Sequence, residues 1–590
     1  MKGFFNKVLR INLKNKSYSV EKIPDSVLEN SLGGKGLGTY LLLENNQKGV
    51  DPLSPENKFI ISLGPVSGTT IPGSSRYGIF TKSPLTGLFS ESYSGGHAAE
   101  PMNWTGYDAF ILEEASENFV YLEITDQDVL FHDAAYIWGK GTYETEDIIK
   151  KKVKTSRVAV LTIGPAGENL IPFAVVENDY WRSAGRTGVG AVLGSKKVKG
   201  LAFHGTSMKE VADPELLESF VKKIRYKGKT DAGAKAYRTL GTPMLVAVNN
   251  KVEAFPSRYW HSGTFDGWEA LTAETMNEQL KTSPRACAQC FMACGKLSEV
   301  QDGPHKGLKI EGPEYETIYA FGGLCMIHDL REIAYLNNLC DDMGMDTITA
   351  GNLCAFAMEA SFMGKIKEKI PYGDPDIAAS LLRDFVSRRG VGEVLSKGIR
   401  HTAKAWDMED VAIHVKGMEP AGYEPRILKG MGLAYAISPR GACHLRSTFY
   451  KAELSGMIDK DQIQGKAELF IDFEERLALQ DMLIVCRFYR DLYMWDELSE
   501  IIEATAGIRM DKSHLKKMAS YVIDLTRKFN IHEGVTKEDD TLPMRFFEEP
   551  LGHGNNVLKK NDFNRMLADY YRLRGWSEQG VPQVINSGRH

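Results

Sequence analysis

Cys287-Ala288-Gln289-Cys290-Phe291-Met292-Ala293-Cys294 places three thiols inside eight residues. They stand too close for disulfides among all of them, and their spacing suits a loop wrapped around one soft metal centre. A fourth thiol has to come from elsewhere, and Cys486 lies far down the chain. We read Cys287, Cys290, Cys294 and Cys486 as the ligands of one [4Fe–4S] cluster. A zinc knuckle would bring a second Cys-x-x-Cys or a His-x-x-x-His, and neither is present. The bland alternative is chance clustering of small buried cysteines, with 8 in 590 residues. The three-plus-one count favours iron–sulfur and requires two distant stretches of chain to meet.

A chain of 590 residues is long for one core, so two to four domains are expected. Hydrophobic content of 43% with 25% charged residues is that of a globular protein. The net charge of −5 argues against nucleic acid as a partner. No run of roughly 18 apolar residues signals a spanning helix. The start, Met1-Lys2-Gly3-Phe4-Phe5-Asn6-Lys7, lacks the apolar core of a signal peptide and runs into the strand-like Val8–Leu13. Together with thiols left free for a metal, this predicts a cytoplasmic setting.

Residues 1–206 read as β-rich. Short apolar strands are expected at 59–64, 77–82, 109–112 and 158–163, each bounded by Gly or Pro. Glycine-rich turns are expected at 33–38, at Ser94-Gly95-Gly96 and at 182–190. The first lacks the full dinucleotide fingerprint and its βαβ setting. With Arg76 and Arg182 nearby, these turns fit backbone N–H groups and guanidinium forks that cradle phosphates, with ordinary hairpin turns as the competing reading. From 207 the period changes to that of helices, as at 215–224, 377–386 and 513–523. The fold class is therefore α+β: a β-rich domain over 1–206, then helical domains over 207–418 and 419–590, divided after an expected strand at 414–417.

Carboxylates beside glycine recur in the helical part. Glu311-Gly312-Pro313-Glu314-Tyr315-Glu316 precedes an apolar run and caps a helix on its simplest reading. Asp341-Asp342-Met343-Gly344-Met345-Asp346 has a distant counterpart in Asp481-Met482-Leu483-Ile484-Val485-Cys486. Ser438–Arg446 is a loop holding His444 among small residues and arginines, and a lone histidine is more often structural.

Taken in order, these pieces resemble the tungsten-dependent aldehyde:ferredoxin oxidoreductases over essentially the whole length. The stretches carrying the resemblance are 33–38, 81–87, 185–191, 287–294, 311–316, both aspartate motifs and 570–576. The resemblance implies tungsten, less often molybdenum, held by two molybdopterin dithiolenes beside one [4Fe–4S] cluster, with magnesium between the pterin phosphates. It implies a two-sheet N-terminal base for the bis-pterin under two mostly helical domains. It assigns Asp341, Asp346 and Asp481 to the pterins, with Arg76, Gly95, Gly96 and Arg182 toward the cofactor, and Glu316 and His444 to acid–base work. Cys325 lies where some relatives carry a tungsten thiolate, which keeps reduction of an aromatic acyl-CoA, as in benzoyl-CoA reductases, as the alternative to aldehyde oxidation. Ferredoxin or a small iron–sulfur subunit is the implied electron acceptor, docking near the Cys287 loop in a hetero-oligomer in the second case. Three departures from the pattern stand out: Ile484 where glycine is usual, Tyr93 for an asparagine, and Tyr335 for the glutamate of a dimer-bridging metal site.

Overall fold

Period-two alternation in the first third of the chain sorts side chains onto the faces of two sheets. The computed structural model describes residues 1–583 apart from 553 and 555. The first sheet contains β1 (Lys7–Asn12), β2 (Ser17–Lys22), β3 (Phe59–Ser62), β4 (Tyr77–Lys82), β5 (Phe89–Ser94) and β6 (Ala109–Glu113), in the order β2-β1-β6-β3-β4-β5. The second contains β7 (Val120–Ile124), β8 (Val129–Asp133), β9 (Ala159–Thr162), β10 (Val176–Asn178), β11 (Arg182–Ala184) and β12 (Val198–Phe203), in the order β11-β10-β9-β12-β7-β8. Only the β1–β6 and β7–β12 pairs are parallel.

Leu9, Ile11, Phe59, Ile61, Phe110 and Leu112 from the first sheet meet Leu122, Leu161, Leu201 and Phe203 from the second in one apolar layer. Their neighbours in the strands, Val8, Ile60, Phe80 and Ile111, face the other way and join the large core of the helical region. The first sheet is thus covered on both faces, and the helical body rests on it.

The expected helices form as Pro214–Thr230, Pro375–Ser387 and Lys512–His532, each opened by an aspartate side chain that accepts from the first turn. A short sheet not read from the sequence interrupts the helical region: β13 (Ser283–Arg285), β14 (Gly295–Glu299) and β15 (Lys309–Glu311). Its first hairpin carries the whole Cys287–Cys294 loop between Arg285 and its partner Gly295.

Two expectations fail locally. Residues 34–38 are not a turn but the start of the helix Gly34–Asn45. Small residues are needed there because a Cβ on Gly34 or Gly36 would run into the backbone oxygens of Asp481 and Ser31. The strand expected at 414–417 is a single bridge between Val415 and Met418. Among the described residues, no helix is long and apolar enough to cross a membrane.

Candidate active site

The β13–β14 hairpin brings Cys287, Cys290 and Cys294 to one side of a cavity of about 60 Å³, and Cys486 closes the other side. Gln289 and Ala293 take left-handed backbone angles that curl the loop around it. Cys486 is fixed from outside by its own N–H to the Gly73 carbonyl, 2.9 Å. The Gly96 N–H donates to Cys287 Sγ at 3.2 Å, and a Cβ on Gly95 would fall 3.0 Å from the same sulfur, so the two glycines let the backbone approach it. Arg76 and Arg182 line the same cavity. Arg182 is ion-paired to Glu311, and Arg76 lies 3.9 Å from Cys486 Sγ. Tyr489 adds a hydroxyl 3.4 Å from Cys290 Sγ, and accepts the Phe291 N–H at 3.2 Å. Burial pushes the Cys290 and Cys294 thiols up, the second far up. Uncompensated thiolates are costly there, which is what a cationic iron core would relieve. Among the described residues, no three His, Cys, Asp or Glu side chains converge on one ion-sized point. The sulfurs instead stand around the cavity.

Both aspartate motifs end a helix. Asp341 lies in Leu330–Met343, which stops at Gly344 with φ 75°, and Asp481 lies in Lys466–Leu483, which stops at Ile484 with φ 64°. The left-handed turn is therefore kept although glycine is not, and a β-branched residue holds a conformation that L side chains avoid. The Ile484 side chain is buried and occupies the space above Gly34. Asp346 caps the helix Thr347–Phe362 through the Thr349 N–H and meets Arg186 at 3.3 Å. Burial, with Glu311 nearby, raises the Asp341 carboxyl well above the ordinary range, and Asn337 donates to it at 2.7 Å. Glu177 beside it is raised by burial and by Asp341, and its Oε2 has no partner. Buried acids short of donors suit a donor-rich bicycle such as a pterin.

Four arginines oppose these acids. Arg446 bridges Glu91 at 2.6 Å and Asp481 at 3.1 Å, and Arg487 also pairs with Asp481. Lys35 reaches Glu91 at 3.0 Å, and the Tyr93 hydroxyl donates to the same carboxylate at 2.7 Å. Arg440 points Nε and Nη2 at Cys443 Sγ, 3.2 and 3.0 Å away. Burial alone would raise that thiol, but Arg440, Arg446 and Arg186 bring it down to about 7. In the sequence, the flanking Arg440 and Arg446 were the available signal for Cys443. Lys35, Glu91, Arg186 and Arg487 lay in distant segments with nothing to join them.

Glu316 and His444 come together. Glu316 sits in a short helix, Tyr315–Thr317, that continues as a π-helical stretch, Ile318–Leu324, a geometry common at functional sites. The Gly422 N–H donates to its Oε2 at 2.9 Å, while Oε1 faces His444 Nε2 at 3.5 Å. Among the described residues, Glu316 Oε1 and His444 Nδ1 have no hydrogen-bond partner. Burial raises the Glu316 carboxyl to about 8, against the pull of Gly422 and Arg186. Burial and the surrounding arginines drive the His444 imidazole well down, so it is neutral. Cys325 is elsewhere in character: its thiol donates to the Gly351 carbonyl in an apolar core, and burial alone raises it.

A β-rich base, a helical body and a four-thiol cavity among buried acids and arginines define a family. The N-terminal domain of aldehyde ferredoxin oxidoreductase matches residues 8–205, and domains 2 and 3 of the same family match 219–585. The chain belongs to this family of tungsten-containing oxidoreductases. It is 35% identical to the tungsten-containing aldehyde ferredoxin oxidoreductase of Pyrococcus furiosus, over 98% of this chain and 97% of the relative. It is 27% identical, over 99% and 96%, to the WOR-like subunit of an aliphatic sulfonate oxidoreductase from the same organism. In fold it is similar to the active-site complex BamBC of benzoyl coenzyme A reductase, with a TM-score of 0.84 and 25% identity over 98% of this chain and 96% of that one. Family membership implies a tungsten pterin cofactor.

Proposed function

We propose that this protein oxidises an aldehyde to a carboxylic acid and passes the electrons through one [4Fe–4S] cluster, held by Cys287, Cys290, Cys294 and Cys486, to a ferredoxin. The observation that carries the reading is the Glu316–His444 pair, with one free oxygen and one free nitrogen in a buried site. Asp341, Asp346 and Asp481 would hold the two pterins, and Arg186, Arg440 and Arg446 supply the charge that pterin phosphates need. When bound, the tungsten centre accepts the two electrons of the oxidation. The chain's own groups handle the protons: the overall change is aldehyde plus water to carboxylic acid, two protons and two electrons. Glu316, once ionised, takes a proton from the attacking water, and its raised affinity suits a base working near neutrality. Neutral His444 positions the carbonyl oxygen by a hydrogen bond without adding a charge. The tyrosines lining this region, Tyr315, Tyr423 and Tyr450, narrow the access of bulk water; Tyr423 stacks on Tyr450 at 4.1 Å.

The fold match to a benzoyl-CoA reductase complex supports a second reading, reduction of an aromatic acyl thioester, whose tungsten thiolate would be Cys325. The apolar surroundings of Cys325 disfavour it. Purified holoenzyme given short aldehydes and a viologen dye decides between them: dye reduction supports the first, and none with any aldehyde overturns it. Elemental analysis should find tungsten with about four iron atoms per chain.

A further inference from the structure

The helix Pro214–Thr230 and the helix Ala232–Leu240 lie over the cysteine loop. Gly228 leaves room for the Phe291 ring, which a Cβ there would meet at 2.3 Å. Arg225 Nη2 donates to Gln289 Oε1 at 3.3 Å, and Arg238 Nη2 to the Phe291 carbonyl at 2.7 Å, so each helix places a guanidinium on the loop. Cys287, Cys290 and Cys294 are only partly covered.

The outward side of this cover is patterned. Residues 214–240 carry seven Lys or Arg and three Asp or Glu, in a chain whose net charge is −5. Lys222, Arg225, Tyr226 and Lys229 fall at i, i+3, i+4 and i+7, one stripe of a helix. All four are exposed, and Tyr226 is 72% exposed, a large aromatic with no structural task. The other lysines, Lys223 and Lys227, turn to the body and pair with Glu500 and Glu497. On the stripe, among the described residues, only Lys222 has an acidic partner, Glu218, itself in solvent. Lys235 and Arg238 extend it on the next helix. Exposed cations around an exposed aromatic, over the partly covered thiols, suit a docking surface better than a solvated helix face.

We propose that Lys222, Arg225, Tyr226 and Lys229 dock a small acidic iron–sulfur electron carrier over the Cys287–Cys294 loop. This rests on the electron route proposed above. Acidic residues of the carrier pair with the stripe, Tyr226 fills the centre of the contact, and the carrier's cluster comes to rest close to Cys290.

The test uses anaerobic holoenzyme with an acidic bacterial ferredoxin, and separately with methyl viologen, which needs no docking. In Arg225→Glu/Lys229→Glu, KM for ferredoxin should rise about tenfold and the salt dependence of ferredoxin reduction should flatten. Viologen turnover should stay within about twofold. Lys229→Glu alone, which leaves the bond to Gln289 in place, should show the same trend. Calorimetric titration with ferredoxin should show weaker binding to both variants, independent of turnover. Unchanged ferredoxin KM, salt response and binding, with viologen turnover intact, overturn the docking surface. Absence of aldehyde-dependent viologen reduction in the wild type overturns the aldehyde reading instead, and the binding titration still decides the patch.

Discussion

Glu316→Gln separates the working carboxyl from the fold, because the change keeps shape and removes only the titration. The Gly422 N–H can donate to an amide oxygen as it does to the carboxylate. If Glu316 is the base, aldehyde-dependent dye reduction falls roughly a hundredfold to ten-thousandfold. The same substitution should stabilise the protein, and the size follows from burial. A rise from 4.5 to about 8, at 1.36 kcal/mol per unit, sets a ceiling of about 5 kcal/mol. The side chain keeps 17% exposure, and water reaching it reduces the expectation to about 2–4 kcal/mol. The sign follows from proton binding. Below pH 4.5 both folded and unfolded chains hold the proton, so the wild type suffers no penalty. Between there and about 8 the unfolded chain releases it while the folded chain retains it, and wild-type stability falls. The glutamine variant has no such slope. Thermal unfolding of cofactor-free protein at about pH 5 should therefore give similar midpoints, and at about pH 9 the variant should be the more stable. Parallel curves for the two proteins across that range would refute a buried, proton-retaining Glu316. A variant that kept its activity would refute the catalytic role.

Tyr489→Phe removes the hydroxyl that donates to Cys290 Sγ and accepts from the Phe291 N–H. With a hydrogen bond worth about 1 kcal/mol, and favouring the more anionic reduced state, the cluster potential should fall by up to about 40 mV. A redox titration followed by EPR reads this, and an unmoved potential counts against it. Cys443→Ala takes away the anion facing Arg440, Arg446 and Arg186, with Glu316 and His444 beside it. Because that anion disfavours ionised Glu316, the rising limb of the pH–rate profile should move to lower pH, and Cys443→Asp should restore it. Ile484→Gly relieves about 1–2 kcal/mol of left-handed strain but removes a buried side chain worth about 2–5 kcal/mol. Net destabilisation is expected, with the unfolding temperature of cofactor-free protein lowered by roughly 3 °C; a rise would show that strain, not packing, dominates at this turn.

How much of this was legible depends on what each residue's partner is. The strand Tyr77–Lys82 and the helix Pro375–Ser387 could be read from the sequence because their determinants are local: a short apolar run bounded by Gly and Pro, period 3.6 and an aspartate cap. The three thiols at 287–294 were legible for the same reason. Gly34 to Gly38 misled, because glycine reads as a turn when its neighbours are unknown. At Gly34 its role is the close approach of Asp481 and Ile484, far along the chain. Ile484 stands where glycine is usual, yet packing against Gly34 and Gly64 holds the left-handed angle. The arginine and carboxylate network was invisible for a similar reason: Glu91, Asp481 and Lys35 gain meaning only when folding makes them neighbours.

That network also explains why the site is built from so much charge. Arg446 serves two carboxylates at once and Arg487 shares one of them, yet Arg446 Nε, Glu177 Oε2 and Glu316 Oε1 remain without partners. A protein assembled for stability alone would not leave such groups buried and unmatched, since each costs about 1–3 kcal/mol. Acids short of donors on one side and arginines in excess on the other describe the outline of a ligand that carries both many N–H groups and phosphates. In the proposed function, those unmatched atoms are where a tungsten pterin cofactor would make its contacts.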